Sequence, residues 1–160
     1  MRAVKLNVAC GEDLREGYFN CDLRCGDVRC DARALPFGDA TFDSVLAQDV
    51  LEHFPRAQTQ AVLAEWRRVL RPDGELVLRV PNMQVLAATI GLAIRKEAWE
   101  TVQQVIENIY GGHRWGPEGA WDSHHTGWDP DLMYGELQTA GFANIDMTGD
   151  ANFTASAIKR

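Results

Sequence analysis

Apolar and polar positions along the chain repeat with two different periods, and the changes of period mark its elements. Ala3 to Ala9 (AVKLNVA) and Tyr18 to Leu23 (YFNCDL) are short strand-like runs, the first stopping at Gly11. The residues between them are too few for a full helix. Val28 to Asp31 predicts a short third strand. Phe42 to Ala47 (FDSVLA) predicts a fourth, nearly continuous in apolar character as strands buried in parallel sheets are. From Arg56 to Arg71 the period turns helical, with Val62, Trp66, Val69 and Leu70 on one face, and Pro72-Asp73-Gly74 ends the helix in a tight turn. Glu75 to Val80 reads as a strand closed by Pro81-Asn82. A long helical stretch follows. Its second half carries Val102, Val105, Ile106 and Ile109 at helical spacing, whereas the half before Arg95 is interrupted by Gly91. Gly111 to Trp128 has no period and is rich in Gly, Trp and His, which predicts a long ordered loop of the kind that carries function. Asp129 as N-cap, Pro130 at the first helical position and Gly141 as stop predict a helix over Asp131 to Ala140. Asn144 to Thr148 and Ala155 to Lys159 close the chain as two strands.

Alternating strands and helices specify an α/β architecture: a Rossmann-like parallel sheet, its last strand inserted antiparallel, its first helix shortened or missing. In such sheets the ligand sits at the carboxyl ends of the strands, beside the first one. Composition adds little to this picture. The 160 residues, 46% hydrophobic and 24% charged, are expected to form a single domain spanning 1–160. The N-terminus does not read as a signal peptide, and the apolar stretch from Val85 to Ile94 is half of what a bilayer requires, so a soluble, cytoplasmic protein is expected. A net charge of -7 disfavours a nucleic-acid partner. Cys10, Cys21, Cys25 and Cys30 include no C-x-x-C pair and three of them fall in strand-like runs, so they are read as small buried apolar residues and no metal is expected.

Candidate chemistry begins at the strand ends. Read in order, LNVACG, NCDL, CDARALPF, FDSVLAQDVLEHF and WRRVLRPDGELVLRVPN resemble successive motifs of class I S-adenosylmethionine-dependent methyltransferases, in particular a compact subset of the type 11 kind. The tail HHTGW…LQTAGF is similar to the final helix and strand pair of that group. The resemblance implies S-adenosyl-L-methionine as cofactor and methyl transfer as activity. On this reading Asn7, Ala9, Cys10 and Gly11 end the first strand where the backbone approaches the cofactor. Asp22 and Leu23 end the second, with the Asp22 carboxylate on the ribose hydroxyls. Asp31 and Ala32 end the third near the adenine, and Gln48 and Asp49 end the fourth beneath the methionine part. Asp22 and Asp31 also have a plain reading as turn residues. In VLEHF, Glu52 and His53 are read as surface or capping groups rather than catalysts. Two departures stand out. The glycine series is replaced by Ala9, Gly11 and Asp13, and Asn7 stands where an acidic residue is usual.

Methyl transfer needs positioning more than a nucleophile, with a general base where the acceptor is a hydroxyl. His124, His125 and Asp49 are the catalytic candidates, with His113 and His53 behind them. Trp115, Trp121 and Trp128 either line an acceptor pocket for a small molecule or saccharide or anchor the loop. The Gly111 to Trp128 loop is expected to form that pocket and partly close over the cofactor. Two rivals carry different outcomes. One is a cofactor-binding or partner subunit without turnover. The other is a nicotinamide oxidoreductase, which the lack of G-x-G-x-x-G after the first strand disfavours. The sequence leaves the acceptor and the oligomeric state, monomer or homodimer, open.

Overall fold

In a computed structural model, which describes residues 3–114 and 117–160, seven strands form one mixed sheet. In chain order they are β1 (Lys5–Val8), β2 (Phe19–Asp22), β3 (Val28–Arg29), β4 (Phe42–Gln48), β5 (Leu70–Pro81), β6 (Phe142–Gly149) and β7 (Asn152–Lys159). The order across the sheet is β3-β2-β1-β4-β5-β7-β6. β1 to β5 pair in parallel, and β7 inserts antiparallel between β5 and β6. The helices are α1 (Thr59–Val69), α2 (Met83–Arg95), α3 (Trp99–Tyr110) and α4 (Pro130–Thr139).

The two faces of this sheet are built differently. Leu6, Val8, Val45, Ala47, Leu76, Leu78, Ala155 and Ala157 point to one side and pack with Val62, Leu63, Trp66 and Val69 of α1 and Met133 and Leu137 of α4. Trp66 is fully buried, and its indole N–H donates to the Ala32 carbonyl at 3.0 Å, tying α1 to the turn after β3. The opposite side presents Asn7, Leu46, Val77 and Ser156 in one register row. No helix crosses it between β1 and β2. A loop takes the place of that helix, held by a polar network. The Asn20 side chain accepts from the Arg15 amide at 2.8 Å and from Asn7 Nδ2 at 3.1 Å, and Asn7 Nδ2 also donates to the Asp13 carbonyl at 2.7 Å. Gly26 closes the same corner with φ +85°, where a Cβ would lie 2.5 Å from the Asn20 carbonyl oxygen.

Several boundaries differ from the sequence reading. The long helical stretch is two helices, broken at Glu97, which adopts φ +55°. The half interrupted by Gly91 is a full helix, because Asn82 caps it by accepting from the Gln84 amide at 3.1 Å. Pro72-Asp73-Gly74 does not separate helix from strand. Leu70 already pairs with Phe42, and the three residues form an irregularity within β5. The third strand stops at Arg29, and Asp31 turns back in a bridge to Ala34. The Gly111 to Trp128 segment is a loop containing a 3-10 turn at Pro117–Asp122, with bridges at Gly111–Ser123 and Asn82–Trp128. Among the described residues no helix is long and apolar enough to cross a membrane.

Candidate active site

The carboxyl ends of β1, β2, β3 and β4 open onto a cavity of about 530 Å³. Its walls bring together six of the residues expected from sequence: Ala9, Gly11, Asp22, Leu23, Asp31 and Ala32. The backbone shapes this wall. Ala9 and Gly11 have φ of +52° and +50°, and Asp49, at the end of β4, has +52°. For Ala9 and Asp49 the left-handed region is sterically costly, and such residues cluster where a fold holds its backbone for a ligand. At Gly11 a Cβ would meet nothing within 4 Å, so the chain there faces open space.

The carboxylates are already oriented. Asp22 accepts from the Gly11 amide at 3.1 Å and from the Arg24 amide at 2.9 Å, one bond to each oxygen. Each oxygen keeps a further lone pair. Asp31 is gripped by Arg33, whose Nη2 lies 2.6 Å from Oδ2, and that guanidinium holds the Asp31 carboxyl below the usual carboxylate range. Asp22 and Asp31 thus hold turns, as the plain reading has it, and also line the cavity.

Three expected cofactor residues stand behind the wall instead of lining it. Asn7 is consumed in the network under the β1 to β2 loop. Gln48 points to the polar face of the sheet and accepts from Arg15 Nη2 at 2.6 Å. Cys10 is buried, and burial pushes its thiol up to about 12, which keeps it a neutral packing group. Gln48 follows from strand alternation, as the neighbour of lining Asp49, whereas Asn7 lies inside β1 beneath the loop and Cys10 turns inward just after it.

A second cavity of about 320 Å³ adjoins the first and shares Asp49, His53 and Asp122 with it. Its walls come from Glu52 and His53, Glu107 and Asn108 of α3, and Asp122 and His124 of the loop. His124 lies here, its ring edge-on to His53 with 4.9 Å between centroids. Burial lowers the pKa of both rings and favours the neutral imidazole. His125 is not with them. It is exposed, and its contribution to the site is a backbone amide that donates to the Glu52 carbonyl at 2.8 Å. His113 is likewise exposed and contacts Ser123. Asp49 lines both cavities, with its carboxylate paired to Arg79.

Sequence reasoning placed Glu52 at the surface, and the structure corrects this. It is 1% exposed, both carboxylate oxygens lack a hydrogen-bond partner among the described residues, and burial pushes its pKa up to about 8. The 3-10 turn at Leu51–His53 rotates Glu52 inward, a rotation that the helical or strand periods used to read the chain do not contain. Of the tryptophans, Trp128 is 1% exposed and anchors the loop, with Arg56 over its ring, whereas Trp121 lines the first cavity. Trp115 lies outside the described residues.

The strand order with an antiparallel seventh strand, and a cleft over the ends of β1 to β4, define the class I S-adenosylmethionine-dependent methyltransferase fold. Residues 6–78 match the family model described as a methyltransferase domain. Those residues resemble that domain, and the fold is the one found in S-adenosylmethionine-dependent methyltransferases. Solved structures share the fold at low identity. The 1,6-didemethyltoxoflavin-N1-methyltransferase of Burkholderia thailandensis, solved with 1,6-didemethyltoxoflavin and S-adenosylhomocysteine, is 19% identical over 98% of this chain and 71% of its own, with TM-score 0.65. An S-adenosylmethionine-dependent methyltransferase from Archaeoglobus fulgidus is 15% identical over 98% and 86%, with TM-score 0.66. One from Methanosarcina mazei is 18% identical over 98% and 92%, with TM-score 0.60. No curated protein matches the chain significantly.

Proposed function

We propose that this protein transfers a methyl group from S-adenosylmethionine to a small-molecule or saccharide acceptor held in the second cavity. The observation that carries the reading is the junction of the two cavities at Asp49 and His53, which sets a nucleotide-sized space against a smaller polar one. When bound, the cofactor supplies a methyl group on a positively charged sulfur. The Gly11 backbone, Asp22 and Asp31 would hold its nucleoside part, with Trp121 against the open side. Asp22 offers its remaining lone pairs to ribose hydroxyls. Asp49 carries the strained backbone at the junction and, paired with Arg79, fixes the floor between donor and acceptor. His124, neutral and on the second cavity, has the placement to hold or take a proton from an acceptor hydroxyl.

A second reading, a cofactor-binding subunit without turnover, draws on the internal bonds already made by Asp22 and Asp31. Calorimetric titration with S-adenosylhomocysteine and with NAD tests both readings together with the oxidoreductase. Tight binding of S-adenosylhomocysteine with methyl transfer across an acceptor panel upholds the proposal. Binding without turnover on any acceptor favours the subunit reading, and binding of NAD alone overturns both.

A further inference from the structure

We propose that Glu52, His53 and His124 form a binding site for one divalent cation of the zinc type, at the boundary between the two cavities. The ligating atoms of these three side chains lie within 4.8 Å of one another. Cation–ligand distances are about 2.0–2.2 Å, so small side-chain rotations bring all three onto one ion. Two imidazoles and one glutamate are a donor set that zinc takes in catalytic sites, with a fourth position left to water or substrate. That position opens on the second cavity, which all three residues line.

The environment of each donor suits the role. Among the described residues neither Glu52 oxygen has a partner, which is rare for a buried carboxylate, because a desolvated charge requires compensation. Arg79, whose charge acts on Glu52, makes its ion pair with Asp49 instead. A cation provides that compensation. His53 Nδ1 is 3.2 Å from the Ser123 carbonyl oxygen, and donation of its proton there leaves the lone pair on Nε2. His124 is held in place by the backbone on both sides. Its own amide donates to the Tyr110 carbonyl at 2.9 Å, and the following amides, of His125 and Thr126, donate to the Glu52 carbonyl at 2.8 and 3.1 Å. The loop is thus stitched to the turn that carries the other two donors. The proposal departs from the sequence expectation of no metal, which was drawn from the cysteines; none of these enters this site.

The proposal rests on the methyl-transfer reading and alters one role in it: with its lone pair on the cation His124 takes no proton, and an acceptor oxygen or nitrogen becomes the open ligand. Its test does not depend on turnover. The full chain, stripped with a chelator and dialysed, is titrated with Zn²⁺ by calorimetry and with Co²⁺ by absorption spectroscopy. The expected result is one cation per chain and a Co²⁺ spectrum of nitrogen and oxygen ligation without a thiolate charge-transfer band. Glu52→Gln, which keeps the side-chain shape, and His124→Ala are each expected to weaken binding by more than about 100-fold, the upper end of what loss of an outer partner alone costs. Cys25→Ser leaves the affinity unchanged. Absence of saturable binding, a thiolate band, or unchanged affinity in either variant overturns the site. S-adenosylhomocysteine titrated into the same samples separates the two readings. Cation binding without it overturns only the methyl-transfer reading, and its binding without the cation overturns only the metal site.

Discussion

The first cavity and the second meet at Asp49 and His53 yet are made from different material. The first is a backbone construction: strand ends, turns and the left-handed residues Ala9 and Gly11 form its wall, and the core behind it holds them in place. The second is assembled by side chains from three separated segments, Glu52 and His53, Glu107 and Asn108, and Asp122 and His124. A wall made of backbone tolerates a wide range of side chains, whereas a wall made of side chains changes character with a single substitution. On the proposed reading, the first cavity takes the ligand common to the fold, and the second takes what these particular residues select.

The comparison is tested most severely through the support of the first cavity. Trp66 reaches through the core to the Ala32 carbonyl, so Trp66→Ala removes a buried indole and the hydrogen bond that positions the turn after β3. It should destabilise the domain by about 3–5 kcal/mol. Urea unfolding at fixed ligand concentration reads this as a lower midpoint with an unchanged slope. A loss below about 1 kcal/mol would mean that the turn is held without α1.

Next in size is a change confined to the wall itself. Asp22→Ala is expected to weaken S-adenosylmethionine binding by roughly 10- to 150-fold, equivalent to about 1.5–3 kcal/mol for bonds to a charged group. Its Zn²⁺ affinity should equal that of the wild type. If both ligands weaken together, the two cavities are one cooperative unit and the contrast drawn between them fails.

The same contrast governs what could be read from the sequence. The strands, α1, α4 and the missing first helix were legible, because apolar periodicity, the Asp129-Pro130 cap and the short span from Gly11 to Tyr18 are local signals. Ala9, Gly11, Asp22 and Asp31 were legible as strand-end residues for that reason. Asn7, Cys10 and Gln48 were placed on the wall by proximity in sequence, but Asn7 is taken up by the β1 to β2 loop, Cys10 is buried and Gln48 bonds Arg15. Glu52 was misplaced because a 3-10 turn set its direction. The choice between His124 and His125 had no local signal at all. Which ring reaches the second cavity depends on which of two neighbours faces His53 once the loop is bonded to the Glu52 carbonyl, a contact between segments far apart in the chain.

Trp121 is the residue most able to blur the distinction, since it belongs to the loop but lines the first cavity, 47% exposed with Arg24 against its ring. Trp121→Ala should weaken cofactor binding by about 2- to 13-fold, equivalent to about 0.5–1.5 kcal/mol for an aromatic contact. Amide exchange should show cofactor-dependent protection across residues 120–126 in the wild type and less of it in the variant. Protection confined to residues 6–31 in both would leave the loop without a covering role.

The smallest effect is expected from pH. Glu65 accepts from the Leu35 amide at 2.7 Å and from Arg68 at 2.8 Å, and the same arginine donates to the Leu35 and Phe37 carbonyls, at 3.1 and 2.8 Å. One ion pair thus fastens the segment following Ala32 to α1. Arg68 holds the Glu65 carboxyl below its ordinary value of 4.5. Because the folded value is the lower one, the pair's contribution is complete above pH 4.5 and is lost as pH falls through the folded value. The amount should be less than about 1 kcal/mol, as for other partly exposed pairs. Glu65→Gln, compared with wild type by urea unfolding between pH 6 and 3, should remove only that part of the acid dependence. Exchange of the Leu35 amide should accelerate over the same acid range in the wild type, after correction for intrinsic rates. The His125 and Thr126 amides, bonded to Glu52 on the far side of the junction, should not follow it. Equal acceleration of all three would show that the acid-sensitive clasp supports both cavities.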